Sequence, residues 1–148
     1  MEKYFDKVKL ITDGGCRGNP GEGAIGFIIL DEKNRILTKV GKCIGYTTNN
    51  QAEYLALIEG LDYASKFTRG TVYCFLDSEL VVNQVTEAWK IKDDELRKLF
   101  HKVLDKESAF KKVIYKHVRR THQMIKEVDK IVNQSLDGIV SDRKVYSS

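Results

Sequence analysis

"ITDGGCRGNPGEGAIGFIIL", residues 11–30, joins two apolar runs through a segment that holds six of the chain's eleven glycines. Alternation of residue types from Val8 onward predicts a β-strand that ends at Asp13 in a glycine-rich turn. Glycine permits positive φ and lets another backbone or a ligand come close. Gly-Asn-Pro-Gly at 18–21 is also typical of a tight hairpin by itself. The stretch alone leaves open whether these glycines serve a turn or a ligand.

The pattern outside this stretch predicts three strands followed by alternating helices and strands. Apolar spacing becomes helical after residue 49, and the predicted order is β-β-β-α-β-α-α-β-α. Because parallel strands need long crossovers, this order predicts an α/β fold with a five-stranded mixed sheet flanked by helices. An antiparallel meander would supply three strands and two parallel strands would complete the sheet. The predicted strands after the first are 24–30, 35–44, 71–76 and 113–118.

Composition indicates one globular domain. The chain has 148 residues, of which 42% are hydrophobic and 31% charged, and no apolar run approaches the roughly 20 residues that span a bilayer. We expect a single domain over residues 1–138, a frayed tail over 139–148, a monomer and no membrane association. The amino terminus lacks the apolar core of a signal peptide, and three scattered cysteines fit a reducing cytoplasm. The net charge of +4 is compatible with either a polyanionic partner or solvated faces.

Four acids occupy positions where they could converge. Asp13 and Asp77 each end a predicted strand, and neighbouring strands would open both into one crevice at the sheet edge. Glu53 lies in the first turn of the intervening helix, and Asp129 lies early in the last helix. Gathered carboxylates repel one another unless protons or cations intervene, and their hard oxygens suit Mg²⁺ or Mn²⁺.

Each acid also has a local explanation. Glu53 stands three residues after Asn50 and could complete a capping box, while Asp77 and Asp129 could favour the positive ends of helix dipoles. These local roles do not explain why Asp13 lies beside the glycine segment. Together the acids therefore favour a metal site.

Four motifs then carry a family resemblance. They are "TDGGCRGNPG" at 12–21, "TTNNQAEYLALIEGL" at 47–61, "LDSELVVNQV" at 76–85 and "VDKIVN" at 128–133. In this order they resemble type 1 ribonuclease H from about Leu10 to Asn133. The resemblance implies the ribonuclease H-like fold and sequence-independent hydrolysis of the RNA strand of an RNA/DNA hybrid, leaving 5′-phosphate and 3′-hydroxyl ends. It also implies that Asp13, Glu53, Asp77 and Asp129 hold two Mg²⁺ ions, for which Mn²⁺ could substitute.

The resemblance further implies a groove that reads the hybrid by shape and 2′-hydroxyls. Asn19, Asn49 and the backbone near Cys16 would read the minor groove, and Thr48 would grip a phosphate of the DNA strand. The substrate-binding set it implies is Gly15, Cys16, Asn19, Thr48, Asn49 and Asn50. Asn50 is also expected to cap the helix that follows.

Two features depart from the family pattern. Many members carry a basic helix and loop after the Asp77 helix, and this hybrid handle is missing here, so we expect affinity to depend strongly on salt. Relatives also place a histidine or an arginine before the last aspartate, and here His122 precedes it by seven residues and Arg120 by nine. Either could assist catalysis, His122 by proton transfer and Arg120 by neutralising phosphate, or neither could. A DNA-cutting nuclease and a non-catalytic nucleic-acid-binding module remain the rival functions.

Overall fold

The computed structural model describes residues 4–141, with side chains described as far as Gly138. Within that range the chain forms five strands and four helices. Their bounds are β1 Phe5–Arg17, β2 Gly21–Leu30, β3 Ile36–Thr47, α1 Asn49–Ala64, β4 Thr68–Leu76, α2 Glu79–Val85, α3 Asp94–Glu107, β5 Lys112–His117 and α4 Gln123–Ser141.

The strands make one mixed sheet in the order β3-β2-β1-β4-β5. β1 pairs antiparallel with β2, which pairs antiparallel with β3, whereas the β1–β4 and β4–β5 pairs are parallel. The predicted meander with two added parallel strands is therefore confirmed, as is the adjacency of the strands that precede Asp13 and Asp77.

Alternation along β1 divides the core between the two faces of the sheet. Val8 and Leu10 are buried beneath α1 and α3, while Ile11 packs with Ile125 and Val128 of α4. Asp13 follows Ile11 by two residues and pairs across the sheet with Gly26, which faces α4. The catalytic candidate on β1 therefore lies on the α4 face.

Two predicted details are wrong, and one alternative that the sequence left open is excluded. β1 does not end at Asp13 but continues to Arg17, because the glycines pair with β2 in a regular ladder and leave only residues 18–20 as the turn. Thr48, and not Asn50, is the N-cap of α1. Its capping-box partner is Gln51, so Glu53 is free of that local role.

The connection after α2 agrees with the sequence prediction, whereas the last helix is longer than predicted. Residues 86–93 connect α2 to α3 without another helix, as expected for a chain that lacks the hybrid handle. α4 runs to Ser141, and the rest of the tail that we expect to be frayed, residues 142–148, lies outside the described residues. Among residues 4–141, no helix has the length and apolar character needed to cross a membrane.

Candidate active site

Three of the predicted acids meet where β1 and β4 separate. The last residue pair between these strands is Ile11 with Phe75, and each strand places its acid two residues further on, at Asp13 and Asp77. One carboxylate oxygen from each of Asp13, Glu53 and Asp77 lies within 4.8 Å of the others. Asp13 and Glu53 are buried and Asp77 is half-buried, so the cluster is largely shielded from water.

Gly14 explains how Glu53 reaches this cluster from a neighbouring helix. A Cβ at position 14 would lie 2.3 Å from the carbonyl oxygen of Ala52, so only glycine allows α1 to approach β1 this closely. The Gly14 backbone N–H then donates to Glu53 Oε1 over 3.1 Å. At this position the glycine serves neither the turn nor a ligand, since it accommodates the backbone of α1.

Burial and mutual repulsion raise the pKa values of two acids in the cluster. Burial, then the charges of Asp77 and Asp129, raises the pKa of Asp13 from its ordinary 3.8 to about 8. Burial, followed by the charges of Asp13 and Asp77, also raises the pKa of Glu53 well above its ordinary value. A cation that bound their oxygens would compete with these protons and would stabilise the ionised carboxylates in their place.

Two buried carboxylate oxygens lack a hydrogen-bond partner, which also favours a bound cation. Asp13 Oδ1 and Asp77 Oδ1 are inaccessible to water and have no hydrogen-bond partner. Leaving a buried acceptor unsatisfied costs about 1–3 kcal/mol and more for a charged group. The donor set contains only carboxylate oxygens, which suits a hard divalent cation such as Mg²⁺ or Mn²⁺. The residues present therefore fit a divalent metal.

Asp129 stands apart from the tight group. Its charge raises the pKa of Asp13, yet the described residues within 4.8 Å of one another are the other three acids. One of its oxygens, Oδ2, accepts a hydrogen bond from Asn133 Nδ2 at 3.1 Å on the same helix. Asp129 thus adds negative charge from the α4 side.

Arg120 and His122 have different surroundings. The Arg120 Nε lies 3.2 Å from Asp77 Oδ2, and its charge acts to lower the pKa values of Asp13 and Glu53. His122 Nδ1 instead accepts a hydrogen bond of 3.2 Å from the Met124 backbone N–H at the start of α4. Its ring stacks on Phe75, with centroids 6.5 Å apart. Arg120 is therefore the one that contacts an acid of the cluster.

Sequence reasoning missed His117. This residue ends β5 opposite Leu76 of β4, and its Nε2 lies 3.2 Å from the Asp77 backbone carbonyl oxygen. The parallel register of β4 and β5 was the signal that could have found it, because adjacent strands place His117 beside the residue that follows Leu76.

The predicted substrate-binding residues gather between the β1–β2 turn and the start of α1. Asn49 Oδ1 accepts from the Cys16 backbone N–H at 3.0 Å, and the Asn49 backbone N–H donates to Asn19 Oδ1 at 3.0 Å. Gly15 borders open space, since a Cβ there would meet only Asn49 Oδ1, at 3.8 Å. These contacts hold the turn and the helix terminus in a fixed relation.

Thr48 and Asn50 border the same region. Thr48 Oγ1 accepts from the Gln51 backbone N–H as the cap of α1, so its hydroxyl proton is still able to donate. Asn50 is exposed. Both line a cavity of about 330 Å³ that also borders Asn19.

A family model matches most of the chain. The model of the Reverse transcriptase-like family covers residues 11–135, a range that includes all four acids. Ribonuclease HI of Halobacterium salinarum is 35% identical over 131 residues, which are 88% of this chain and 65% of that protein. A bifunctional protein of Mycobacterium tuberculosis is 36% identical over 133 residues, 89% of this chain. The chain spans only 36% of the length of this and two other mycobacterial relatives.

Solved structures share the whole architecture. The crystal structure of RNase H1 from Halobacterium salinarum matches with a TM-score of 0.84 and 35% identity, over 88% of this chain and 98% of that one. LC11-RNase H1, crystallised in complex with RNA/DNA hybrid, matches with a TM-score of 0.83 and 34% identity. That match covers 90% of this chain and 99% of the other.

Proposed function

Since this chain belongs to the Reverse transcriptase-like family and to its type 1 ribonuclease H members, we propose that it hydrolyses the RNA strand of RNA/DNA hybrids. The products would carry 5′-phosphate and 3′-hydroxyl ends. The observation that carries the proposal is the buried cluster of Asp13, Glu53 and Asp77 with its two unpartnered oxygens. The relative that binds RNA/DNA hybrid supports the choice of substrate.

Asp13, Glu53 and Asp77 would hold divalent ions, and Asp129 would complete the set from α4. Two bound Mg²⁺ ions, or Mn²⁺ in their place, would supply an activated water and charge stabilisation at the leaving 3′ oxygen. The high pKa of Asp13, about 8, means that metal loading would release a proton near neutral pH. Activity should accordingly rise with pH through the neutral range.

Arg120 would act on the phosphate. Its side chain is 74% exposed although its guanidinium contacts Asp77, so it can reach a bound nucleic acid without leaving the site. An arginine stays charged at any working pH and can donate to two phosphate oxygens at once. We therefore favour Arg120 over His122 as the residue that assists the departing product. Its proximity to Asp77 supports this choice.

The groove beside the cluster would recognise the hybrid by shape. The half-buried backbone at Gly15 and Cys16 and the side chains of Asn19 and Asn49 would face the minor groove, where 2′-hydroxyls distinguish RNA from DNA. The Thr48 hydroxyl, with Asn50 beside it, would hold a phosphate of the DNA strand at the α1 terminus. No residue in this set is required to read a base, so cleavage would be largely independent of sequence.

Compartment and assembly complete the proposal. The free cysteines Cys16, Cys43 and Cys74 accord with a reducing cytoplasm. We propose a monomer, which light scattering on a sizing column would test.

The decisive test compares end-labelled RNA/DNA, RNA/RNA, DNA/DNA and single-stranded RNA, each with Mg²⁺ or with EDTA. We expect cleavage of the hybrid alone, in Mg²⁺ alone, with 5′-phosphate ends. Asp13→Asn should abolish cleavage, and Asp6→Asn, a matched change at an exposed β1 residue, should not. Cleavage of DNA/DNA, or hybrid cleavage in EDTA, would contradict the proposal.

A further inference from the structure

A buried hydrogen bond joins α1, which carries Glu53, to α2, which follows Asp77. The Tyr54 hydroxyl of α1 donates to Gln84 Oε1 of α2 over 2.7 Å. Tyr54 is fully buried and Gln84 is only 6% exposed, so water does not compete for this contact. Within residues 4–138, it is the one side-chain hydrogen bond that connects these two helices. The proposed hydrolysis assigns no role to either residue.

Each pair of acids in the cluster is held together by a different contact. Parallel pairing of β1 with β4 sets Asp13 beside Asp77. The close approach of α1 at Gly14, whose backbone N–H donates to Glu53, sets Glu53 against Asp13. The third separation, between Glu53 and Asp77, depends on how α1 meets α2. The hydrogen bond between the two helices lies on that side of the cluster.

Few residues separate the hydrogen bond from the two acids. Tyr54 follows Glu53 directly, and their side chains leave α1 about 100° apart, one towards the cluster and the other towards α2. Ser78 caps α2 directly after Asp77, and Gln84 lies about 9 Å further along the helix axis. No loop intervenes between Asp77 and the cap, so a tilt of α2 would move Asp77.

The apolar contacts of α2 do not fix its direction by themselves. The helix spans only Glu79–Val85, which is too short to be stable alone. Val81 and Val85 bury it against the core, and such burial is non-directional. A hydrogen bond is directional, because it weakens steeply away from its best geometry. The bond to α1 therefore adds an orientation that burial does not supply.

We propose that Tyr54 and Gln84 are positioning residues that hold Glu53 and Asp77 at the separation a divalent cation requires. This inference rests on the proposed metal-dependent function, because it concerns the same cluster. The acids repel one another without a cation, since the charges of Asp13 and Asp77 act on Glu53. Loss of the hydrogen bond would let the repelled acids move apart. A cation would then have to draw them together again, at a cost in affinity.

Calorimetric titration of Mn²⁺ into the protein without nucleic acid measures this affinity directly. Tyr54→Phe removes only the hydroxyl, and we expect it to raise the Kd for Mn²⁺ at least about fivefold, the factor that one hydrogen bond of ordinary strength is worth. Gln84→Met should have the same effect. In cleavage assays both variants should need at least about fivefold more Mg²⁺ for half-maximal rate, while KM for the hybrid stays within about twofold of the wild type.

Two further variants separate positioning from stability. Tyr115→Phe removes a matched tyrosine hydrogen bond, the one to Glu107 of α3, and should lower stability in urea but leave the Kd for Mn²⁺ within about twofold. The double variant Tyr54→Phe/Gln84→Met leaves neither partner unsatisfied and should recover much of the stability that Tyr54→Phe loses. Its Kd for Mn²⁺ should stay raised, by no more than in either single variant, because both changes break the same bond.

Three results would overturn the proposal. These are wild-type affinity for Mn²⁺ in both single variants, an equal loss of affinity in Tyr115→Phe, and recovery of affinity together with stability in the double variant. If Tyr54→Phe does not fold, Gln84→Met and the double variant decide by the same criteria. A wild type that binds Mn²⁺ but cuts no hybrid would contradict the proposed function alone, whereas a wild type that binds no Mn²⁺ would overturn both.

Discussion

Replacing Asp13 by Asn should stabilise the metal-free protein while abolishing its activity. The folded state keeps this carboxyl protonated to about pH 8, whereas the unfolded chain ionises it near its ordinary 3.8. Below about pH 4 the group is protonated in both states and costs nothing. As pH rises from about 4 to 8 the unfolded state loses the proton first, so the free energy of unfolding falls. The variant has no such proton and should lose less stability over that range.

The expected size follows from the same pKa difference. A tenfold change in ionisation is worth about 1.4 kcal/mol, so the gap between 3.8 and about 8 corresponds to at most about 6 kcal/mol above pH 8 and about 4 kcal/mol at pH 7. Asp13 is only 3% exposed, so solvent screens little of this. The asparagine amide would itself be buried with incomplete hydrogen bonding, at a cost of about 1–3 kcal/mol. A net gain of about 1–3 kcal/mol at pH 7–8 should remain.

Urea unfolding in EDTA between pH 4.5 and 8.5 measures this gain, with Asp6→Asn as the matched control at an exposed carboxylate of the same strand. Asp6→Asn should follow the wild type at every pH. Adding Mg²⁺ should stabilise the wild type by mass action and leave Asp13→Asn unchanged. Equal pH slopes for the wild type and Asp13→Asn, or a less stable variant at pH 8, would refute the electrostatic account of the cluster.

Four further substitutions test the surroundings of the cluster, and one comparison of substrates tests the groove. Under multiple turnover, Arg120→Ala should lower kcat at least about tenfold with little change in KM. His122→Ala should keep a near-wild-type kcat but should lose about 1 kcal/mol of stability, because the side chain that caps α4 is gone. The reverse pattern would exchange the roles of the two residues. Gly14→Ala should destabilise the protein by about 2 kcal/mol or more, because its Cβ would overlap the Ala52 carbonyl. Gly15→Ala should leave the fold intact and raise KM for the hybrid. Urea unfolding and steady-state kinetics would measure both effects. The ratio of kcat/KM for a run of four or more ribonucleotides over a single embedded one should be large. A lone ribonucleotide leaves most 2′-hydroxyl contacts unmade, at a cost of about 1 kcal/mol each. Efficient incision at the single ribonucleotide would contradict the proposed recognition of several 2′-hydroxyls by the groove.

The order of elements and the adjacency of β1 and β4 followed from the sequence because both depend on patterns that extend over many residues. Several apolar residues in each segment indicate the same strand or helix, so one misleading residue does not change the assignment. Parallel strands joined by a helix also have few possible arrangements. The approach of Asp13 and Asp77 follows from that arrangement alone. Glu53 could be assigned to the following helix for the same reason, but it lies one turn further in than predicted, because α1 begins at Asn49 and has no acid in its first turn. Its contact with Gly14 could not be predicted.

Local boundaries depended on contacts that a pattern does not contain. The glycines after Asp13 resemble a loop in sequence, but the ladder from Asp13–Gly26 to Arg17–Glu22 satisfies their backbone groups and extends β1. The cap of α1 is another example. Thr48 and Asn50 both suit an N-cap, and in the structure it is Thr48 that has extended backbone and exchanges capping-box hydrogen bonds with Gln51.

The roles of Arg120 and His122 show the same limit at the level of chemistry. Their spacing from Asp129 permits either to reach the cluster, so the sequence favours neither. In the structure His122 Nδ1 accepts the Met124 N–H at the start of α4, and a ring nitrogen that accepts a hydrogen bond carries no proton. If His122 took up a proton there during turnover, it would lose the bond that begins the helix on which Asp129 lies. Arg120 keeps its charge throughout, and its 3.2 Å contact with Asp77 places it at the cluster, where a phosphate would share or replace that contact. We therefore expect Arg120, and not His122, to assist the departing product.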